Sequence, residues 1–161
     1  MRNYRVRNAQ PSDLPRIEEI YAYARRFMAE NGNPTQWGKT EPPVAQLVID
    51  IQEGKLYVVE SDCIHGVFFY TIGADPTYAK IYEGSWISDA PYGTIHRIAG
   101  DGSGGIVKTA VEFGKTQCSH LRIDTHADNI VMQHVVEKLG FSKRGIIYIA
   151  NGSPRIAYEM V

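Results

Sequence analysis

LRIDTHADNIVMQHVVEKLGF, residues 121–141, carries the clearest folding signal in the chain. Its beginning belongs to a strand-like segment, His120–His126, in which apolar and polar residues alternate. Apolar residues then recur at helical spacing over Asn129–Leu139, and Gly140-Phe141 ends this helix. Asn129 stands at the helix cap, a structural role that needs no ligand. The stretch therefore predicts a strand followed by a capped helix.

A second strand and helix lie immediately upstream, joined by a glycine-rich loop. Thr94–Gly100 (TIHRIAG) is strand-like, Asp101–Gly105 (DGSGG) follows it, and Ile106–Lys115 has helical periodicity. Glycines let the loop turn tightly and present consecutive N–H groups at the start of the helix, where the helix dipole favours an anion. The loop matches neither GxxxxGKS/T nor GxGxxG. The loop is therefore either a simple turn or a pyrophosphate site of another kind, and its place between a strand and a helix favours the second interpretation.

The rest of the pattern adds five strands and two helices. The predicted helices run from about Ser12 to Glu30 and from Pro42-Pro43 to Gly54. The predicted strands are Asn3–Asn8, Lys55–Glu60, Ile64–Ile72, Lys143–Ala150 and Arg155–Val161. Residues 73–92 form a long irregular connection. The order β-α-α-β-β-β-α-β-α-β-β predicts an α/β (α+β) fold, with a mixed sheet of about seven strands and helices on both faces.

Composition is typical of a small globular protein. The 161 residues, of which 43% are hydrophobic, are enough for one domain, 1–161, and the formal charge of -1 includes no basic tract for nucleic acid or a membrane surface. We find neither an apolar run long enough to span a bilayer nor an apolar secretory signal region. Cys63 and Cys118 lie outside any CxxC pattern, and His65, His120 and His134 are scattered. We therefore expect reduced thiols, no metal site and a cytoplasmic protein.

Three segments together resemble the GNAT superfamily of N-acetyltransferases: IHRIAG (95–100), GIVKTAVEF (105–113) and the 121–141 stretch. The resemblance covers nearly the whole chain. It implies a mostly antiparallel, twisted sheet whose central strands splay apart around acetyl-CoA, the cosubstrate. Pantetheine would lie along Ile98–Gly100, pyrophosphate would bind N–H groups of Gly102–Lys108, and Asn129 would face the sulfur end. The implied cofactor-binding residues are Ile98, Ala99, Gly100, Gly102, Ser103, Gly104, Gly105, Ile106, Val107, Lys108 and Asn129.

Two features depart from the usual pattern of that family. The glycine loop is shorter, lacks the usual Arg or Gln, and has Val107 where a small residue is expected. Val136 stands where the family often has a tyrosine that protonates the departing thiolate. The main hypothesis is direct acetyl transfer from acetyl-CoA to a primary amine of a small molecule or peptide, in a ternary complex. The alternatives are a non-catalytic acyl-CoA-binding or sensing module and an interaction protein that binds no CoA.

Acyl transfer to an amine calls for a base. An amine with a pKa near 10.4 is neutral in only about one molecule in 10³ at pH 7. His96 is the first candidate, because it lies on the strand that would carry the thioester, on the face opposite Arg97. His126 and Glu83 are further catalytic candidates, with loop support and a solvated surface acid as their structural alternatives. The N–H near Ile98 is the candidate oxyanion donor.

Aromatic side chains are candidates for binding the acceptor. Trp37, in the NGNPTQWG loop between the first two helices, is expected to form an apolar wall for the acceptor or a lid on the core. Tyr70 and Tyr82 are candidates of the same kind, with the core as their alternative place. Exposed sheet edges often pair, so a homodimer is an option that the sequence leaves open.

Overall fold

The computed structural model describes residues 3–161, which form a seven-stranded sheet with helices packed on it. The strands are β1 (Arg5–Asn8), β2 (Leu56–Glu60), β3 (Ile64–Ile72), β4 (Gly93–Gly100), β5 (Leu121–Thr125), β6 (Ser142–Tyr148) and β7 (Pro154–Met160). They lie in the order β1-β2-β3-β4-β5-β7-β6, and every neighbouring pair is antiparallel except β4 and β5. The predicted mixed, mostly antiparallel sheet is confirmed.

Four helices accompany the sheet. They are α1 (Leu14–Glu30), α2 (Val44–Gln52), α3 (Ile106–Gln117) and α4 (Ile130–Lys138). The elements agree with the predicted order, although some of their ends differ; β1, for example, begins at Arg5 instead of Asn3. The 73–92 connection, which was expected to be irregular, contains a 3₁₀ turn, Pro76–Tyr78. None of the helices in the described part of the chain combines the length and apolar character needed to cross a membrane.

The helices lie on both faces of the sheet, as predicted. On one face, Ile20 of α1 and Leu47 of α2 pack in the same buried cluster as Val58 of β2. On the other face, Val111 of α3 and Val136 of α4 are buried in a second cluster. Full burial of such a side chain contributes about 1.5–3 kcal/mol. These apolar stripes fix the helices on the sheet.

Two facing glycines let α3 begin close to the sheet. Gly66 on β3 pairs with Gly100 on β4. A Cβ atom at Gly66 would lie 2.5 Å from Ile106 Cγ2, and one at Gly100 would lie 2.9 Å from Ile106 Cγ1. Because Ile106 is the first residue of α3, these glycines set the place of the helix N-terminus over the end of β4.

A buried ion cluster holds the 73–92 connection against β5 and β7. Glu159 Oε1 accepts a hydrogen bond from the Ile87 N–H at 2.6 Å, and Oε2 lies 2.6 Å from His120 Nε2 and 3.4 Å from Arg122 Nε. The Arg122 guanidinium lies 3.9 Å from the centre of the Trp86 ring. Burial alone would raise the pKa of Glu159, but the bonds from Ile87 and His120 and the charge of Arg122 outweigh burial and lower it. The later part of the connection is therefore anchored.

The parallel strands β4 and β5 pair only at their beginnings. The paired residues are Gly93 with Leu121 and Thr94 with Arg122. Beyond these two pairs the strands diverge, and each leaves part of its edge without a neighbouring strand. The splayed pair implied by the resemblance is therefore present.

Candidate active site

A groove of about 430 Å³ lies beside the diverging end of β4. This volume is within the range of small-molecule sites, about 300–1,000 Å³. Ten of the eleven residues predicted to bind the cofactor line the groove: Ile98, Ala99, Gly100, Gly102, Gly104, Gly105, Ile106, Val107, Lys108 and Asn129. The glycine loop and the starts of α3 and α4 thus meet around one space.

The start of α3 presents N–H groups that suit an anion. Gly105 is the N-cap residue, with φ of 78°, a conformation that favours glycine. The first three helical residues, Ile106–Lys108, have no carbonyl one turn earlier in the helix to accept their N–H groups. Lys108 is exposed and adds a positive charge. Val107 forms part of the groove wall, and the groove keeps its volume beside it.

Ser103, the eleventh predicted residue, does not line the groove because its side chain is bonded to His65. Ser103 Oγ lies 3.0 Å from His65 Nδ1, and the Ser103 N–H donates to Asp101 Oδ1 at 3.1 Å. His65 also contacts Asp101 at 2.8 Å and Asp62 at 2.7 Å. The hydrogen bond from His65 holds the pKa of Asp62 below its usual range.

Asp62, Cys63 and His65 bring their ligand atoms within 4.8 Å of one another, a grouping that the sequence analysis missed. His65 Nδ1 contacts Asp101 and Ser103 of the glycine loop, and Nε2 contacts Asp62. These hydrogen bonds explain the grouping as an anchor that holds the glycine loop against β3.

A second cavity, of about 540 Å³, adjoins the groove. Four residues, Met28, Ile98, Asn129 and Met132, line both spaces. The two cavities therefore meet beside the diverging end of β4, where one bound molecule would contact another.

His96 lies in the second cavity and faces two carboxylates. Its Nε2 is 2.7 Å from Asp75 Oδ2, and its Nδ1 is 4.0 Å from Asp124 Oδ2. Burial alone would raise the pKa of Asp75, but hydrogen bonds from His96 and Thr77 outweigh burial and lower it to about 2. An ionised Asp75 accepts the Nε2–H of His96, so Nδ1 of the neutral ring carries the lone pair. This is the arrangement of an oriented base.

Asn129 caps α4, as predicted, and also joins this helix to a neighbouring loop. Its Oδ1 accepts from the Met132 N–H at 3.0 Å, which caps α4, and its Nδ2 donates to Gln36 Oε1 at 3.1 Å. The latter bond ties α4 to the loop between α1 and α2. Trp37 on that loop lines the second cavity, while its ring packs against Tyr21 with centres 5.5 Å apart. Trp37 thus forms a cavity wall and also contacts the core.

The strand β4 bulges at Arg97, between His96 and Ile98. The β3–β4 register shifts here, and Arg97 has φ of 51°, which is unfavourable for a side chain of this size. The conformation is held at both ends of the residue. The Arg97 guanidinium contacts Asp50 through Nε at 3.0 Å and Nη2 at 2.9 Å, and its carbonyl accepts from Tyr21 Oη at 2.6 Å.

Replacing Asp50 with Asn is expected to destabilise the protein by about 2 kcal/mol, because Asp50 is 1% exposed and Arg97, whose side chain is one quarter exposed, would lose its charged hydrogen-bond partner. The control is Arg5→Gln, which removes an exposed 3.7 Å pair with Glu60 and should cost less than about 1 kcal/mol. Urea unfolding measures both free energies. Equal losses in the two variants would contradict the role assigned to Asp50.

Two predicted residues, His126 and Tyr70, line neither cavity. His126 holds its own loop: Nδ1 accepts from the Asp128 N–H at 3.0 Å, and Nε2 lies 3.4 Å from Thr35 Oγ1. Tyr70 points into the core cluster of α3 and α4, and its hydroxyl donates to the Gly114 carbonyl at 3.0 Å. The structural roles considered above, loop support for His126 and core packing for Tyr70, explain both positions. The structure does not bring Tyr70 to an acceptor.

Glu83 and Tyr82 lie farther along the 73–92 connection, next to β6. Tyr82 forms an antiparallel bridge with Ile146, and its exposed ring packs against Tyr148 at 5.3 Å. Glu83 is exposed and has φ of 56°. Neither residue lines either cavity, because the connection follows the edge of the sheet at this point. The structure therefore does not bring Glu83 to the base position or Tyr82 to the acceptor.

The polar residues of the second cavity that were not predicted include the partly buried Asp124 and the buried Thr125 and Arg155. Each lies within a strand pattern, where nothing local distinguishes it from a structural residue. Thr125 Oγ1 is buried and has no hydrogen-bond partner among residues 3–161. Val136, by contrast, is 1% exposed in the core, so that position of α4 offers no proton donor.

Comparison with known proteins identifies the fold. No protein-family model and no curated protein sequence matches the chain. Among solved structures, a GNAT-family acetyltransferase from Streptococcus agalactiae 2603 is 29% identical, with a TM-score of 0.86 over 98% of this chain and 95% of that one. A GNAT-family acetyltransferase from Listeria monocytogenes is 20% identical, with a TM-score of 0.66 over 97% and 93%. A phosphinothricin acetyltransferase from Sinorhizobium meliloti, in complex with AcCoA, is 15% identical, with a TM-score of 0.63 over 97% and 86%.

These similarities define the class of protein: the chain has an acetyltransferase fold along almost its whole length. The resemblance to the GNAT superfamily of N-acetyltransferases, indicated by the sequence, is confirmed.

Proposed function

We propose that the chain is an N-acetyltransferase that moves an acetyl group from acetyl-CoA to a primary amine of a small molecule or peptide, directly in a ternary complex. One observation carries the proposal. The groove that we assign to the CoA donor and the cavity that contains His96 share the residues Met28, Ile98, Asn129 and Met132. The thioester and the amine would meet at this junction. The AcCoA complex of the Sinorhizobium meliloti relative supports the choice of donor.

The residues present suit each part of this reaction. The amine loses a proton to Nδ1 of His96, while Asp75 keeps Nε2 protonated and stabilises the positive charge that the ring acquires. The nitrogen attacks the thioester carbon, and the N–H of Ile98, in the bulge, is the candidate donor to the oxygen that becomes negative. The nitrogen releases its second proton to solvent as the carbon–sulfur bond breaks, and CoA leaves as a thiolate. Val136 offers that thiolate no proton, so solvent supplies it.

Donor binding is tested first by thermal shift. Acetyl-CoA at about 100 times its Kd should add about 2.7 kcal/mol of stability and raise the Tm accordingly. Thiol release with a panel of amines then tests catalysis. The absence of any shift at millimolar acetyl-CoA would refute the donor assignment. A shift without thiol release from any amine would favour the non-catalytic binding module.

Gly66→Ala is expected to weaken acetyl-CoA binding, although Gly66 lines neither cavity. Its new methyl group would displace Ile106 and with it the N–H groups at the start of α3. We expect about a tenfold loss, equivalent to 1.4 kcal/mol. Isothermal titration measures the affinity, and Gly66→Ala combined with Ile106→Ala, which removes the clash, should recover part of it. Unchanged affinity in Gly66→Ala would contradict the importance of the helix position.

A further inference from the structure

Arg155, on β7, is a buried cation in the wall of the acceptor cavity. It is 6% exposed and lines the cavity together with His96 and Asp124. Asp124 pairs with Ala157, two residues from Arg155 on the same strand, so Asp124 and Arg155 lie on one face of the sheet. The Arg155 Nη1 donates to Ser153 Oγ and to the Pro154 carbonyl, the latter at 2.9 Å. Both partners are neutral.

The positive charge of Arg155 lacks a counter-ion among residues 3–161. No carboxylate there comes within ion-pair distance, and Asp124 acts on the guanidinium only from farther away. The Asp124 carboxylate already accepts from the Tyr78 hydroxyl at 2.8 Å. Arg122, the other arginine that is buried among residues 3–161, lies 3.4 Å from Glu159. Because a buried guanidinium ordinarily has an anionic partner, the missing partner is expected in the cavity.

We propose that Arg155 binds the carboxylate of the acceptor, and that the acceptor is a free α-amino acid. The proposal rests on the proposed acetyl transfer. An amino acid presents an ammonium group and a carboxylate a few bonds apart, and the cavity presents the matching pair: Asp75 and Asp124 beside His96, and Arg155 nearby. A guanidinium fork fits a carboxylate with two parallel hydrogen bonds. A phosphate dianion suits the cavity less well, because the two aspartates oppose additional negative charge.

Matched acceptors test this assignment in the wild-type protein. For several side chains, such as those of alanine, leucine, methionine and phenylalanine, the free amino acid is compared with its amide, its methyl ester and the corresponding decarboxylated amine. We expect the free acids to have a kcat/KM about 10²-fold higher than the amides and esters. Intrinsic reactivity runs the other way, since amides and esters have the less basic, more readily neutral amine. Equal or faster turnover of the amides would overturn the proposal and leave acetyl transfer intact.

Variants of Arg155 test whether this residue causes the preference. Arg155→Gln should remove the preference for acid over amide, because it should lower kcat/KM for the acid far more than kcat/KM for the amide. Arg155→Lys keeps the positive charge but not the paired N–H donors of the guanidinium, so it should retain part of the preference for the acid. This variant replaces Arg155→Gln in the test if Arg155→Gln does not fold. Arg144→Gln, outside both cavities, is the control. A full preference for the acid in a folded Arg155 variant would overturn the proposal.

A binding measurement separates this inference from the proposed function. The Tm shift that each free amino acid produces in the CoA-saturated protein is compared with the shift from its amide at equal concentration. A larger shift from the acid, lost in the Arg155 variants, supports the assignment even where no thiol is released. No difference between acid and amide contradicts it. Absence of thiol release together with an acid-specific shift would refute only the acetyl transfer.

Discussion

Replacing His96 with Gln is expected to lower kcat by about 10²- to 10⁴-fold, the usual contribution of a general base. Gln keeps a donor for the Asp75 carboxylate, whose bond to His96 is 2.7 Å long, but it has no lone pair basic enough to accept the proton of the amine. Acetyl-CoA binding should be unchanged, because His96 does not line the donor groove. Steady-state kinetics and acetyl-CoA titration on the same preparation measure the two quantities.

The pH dependence gives a further sign of the lost base. Without His96, the rate should follow the fraction of amine that is already neutral, which grows about tenfold per pH unit below the pKa of the amine. His126→Gln is the matched control and should retain kcat, since His126 lines neither cavity. If the His96→Gln variant has the same kcat as the wild-type protein at pH values below the pKa of the amine, His96 is not the base.

Replacing Glu159 with Gln is expected to destabilise the protein by about 3–5 kcal/mol, the usual cost of removing one partner from a buried ion cluster. The amide retains an acceptor for the Ile87 N–H but no charge opposite Arg122 and His120. The 73–92 connection should loosen with it, because Arg122 also contacts Trp86. Urea unfolding gives the free energy, and hydrogen exchange at Ile87 reports the connection.

Acidification should reduce the difference between wild type and Glu159→Gln. The folded-state pKa of Glu159 lies below its ordinary value of 4.5, so the charge stabilises the fold above that pH, and this contribution is lost as the pH falls through the folded pKa. Glu112→Gln, at an exposed position of α3, is the control and should change stability by less than about 0.5 kcal/mol. A deficit that is constant from neutral to acid pH would contradict the ionised state assigned to Glu159.

Local sequence signals predicted the fold and most of the residues that line the groove beside β4. The Gly102–Gly105 loop and the Asn129 cap are encoded within a few residues of the groups that they position, so reading along the chain finds them. The second cavity brings together residues that are distant along the chain: His96 meets Asp75 across a connection, and Arg155 reaches the cavity only through the strand order. The alternation of residues along β3 did not show whether the Tyr70 side chain faces the core or a binding site. The lining of the groove was therefore predictable from the sequence, and most of the lining of the second cavity was not.

The short pairing between β4 and β5 has a mechanical consequence. The sheet consists of a four-stranded half, β1–β4, and a three-stranded half, β5–β7, and only two residue pairs between β4 and β5 join the halves. A pantetheine arm in the gap would present its own amides to the unpaired edges and act as a short eighth strand. We therefore expect the two halves to unfold more nearly as one unit when acetyl-CoA is bound. In this molecule the donor would be a structural member of the sheet as well as a reactant.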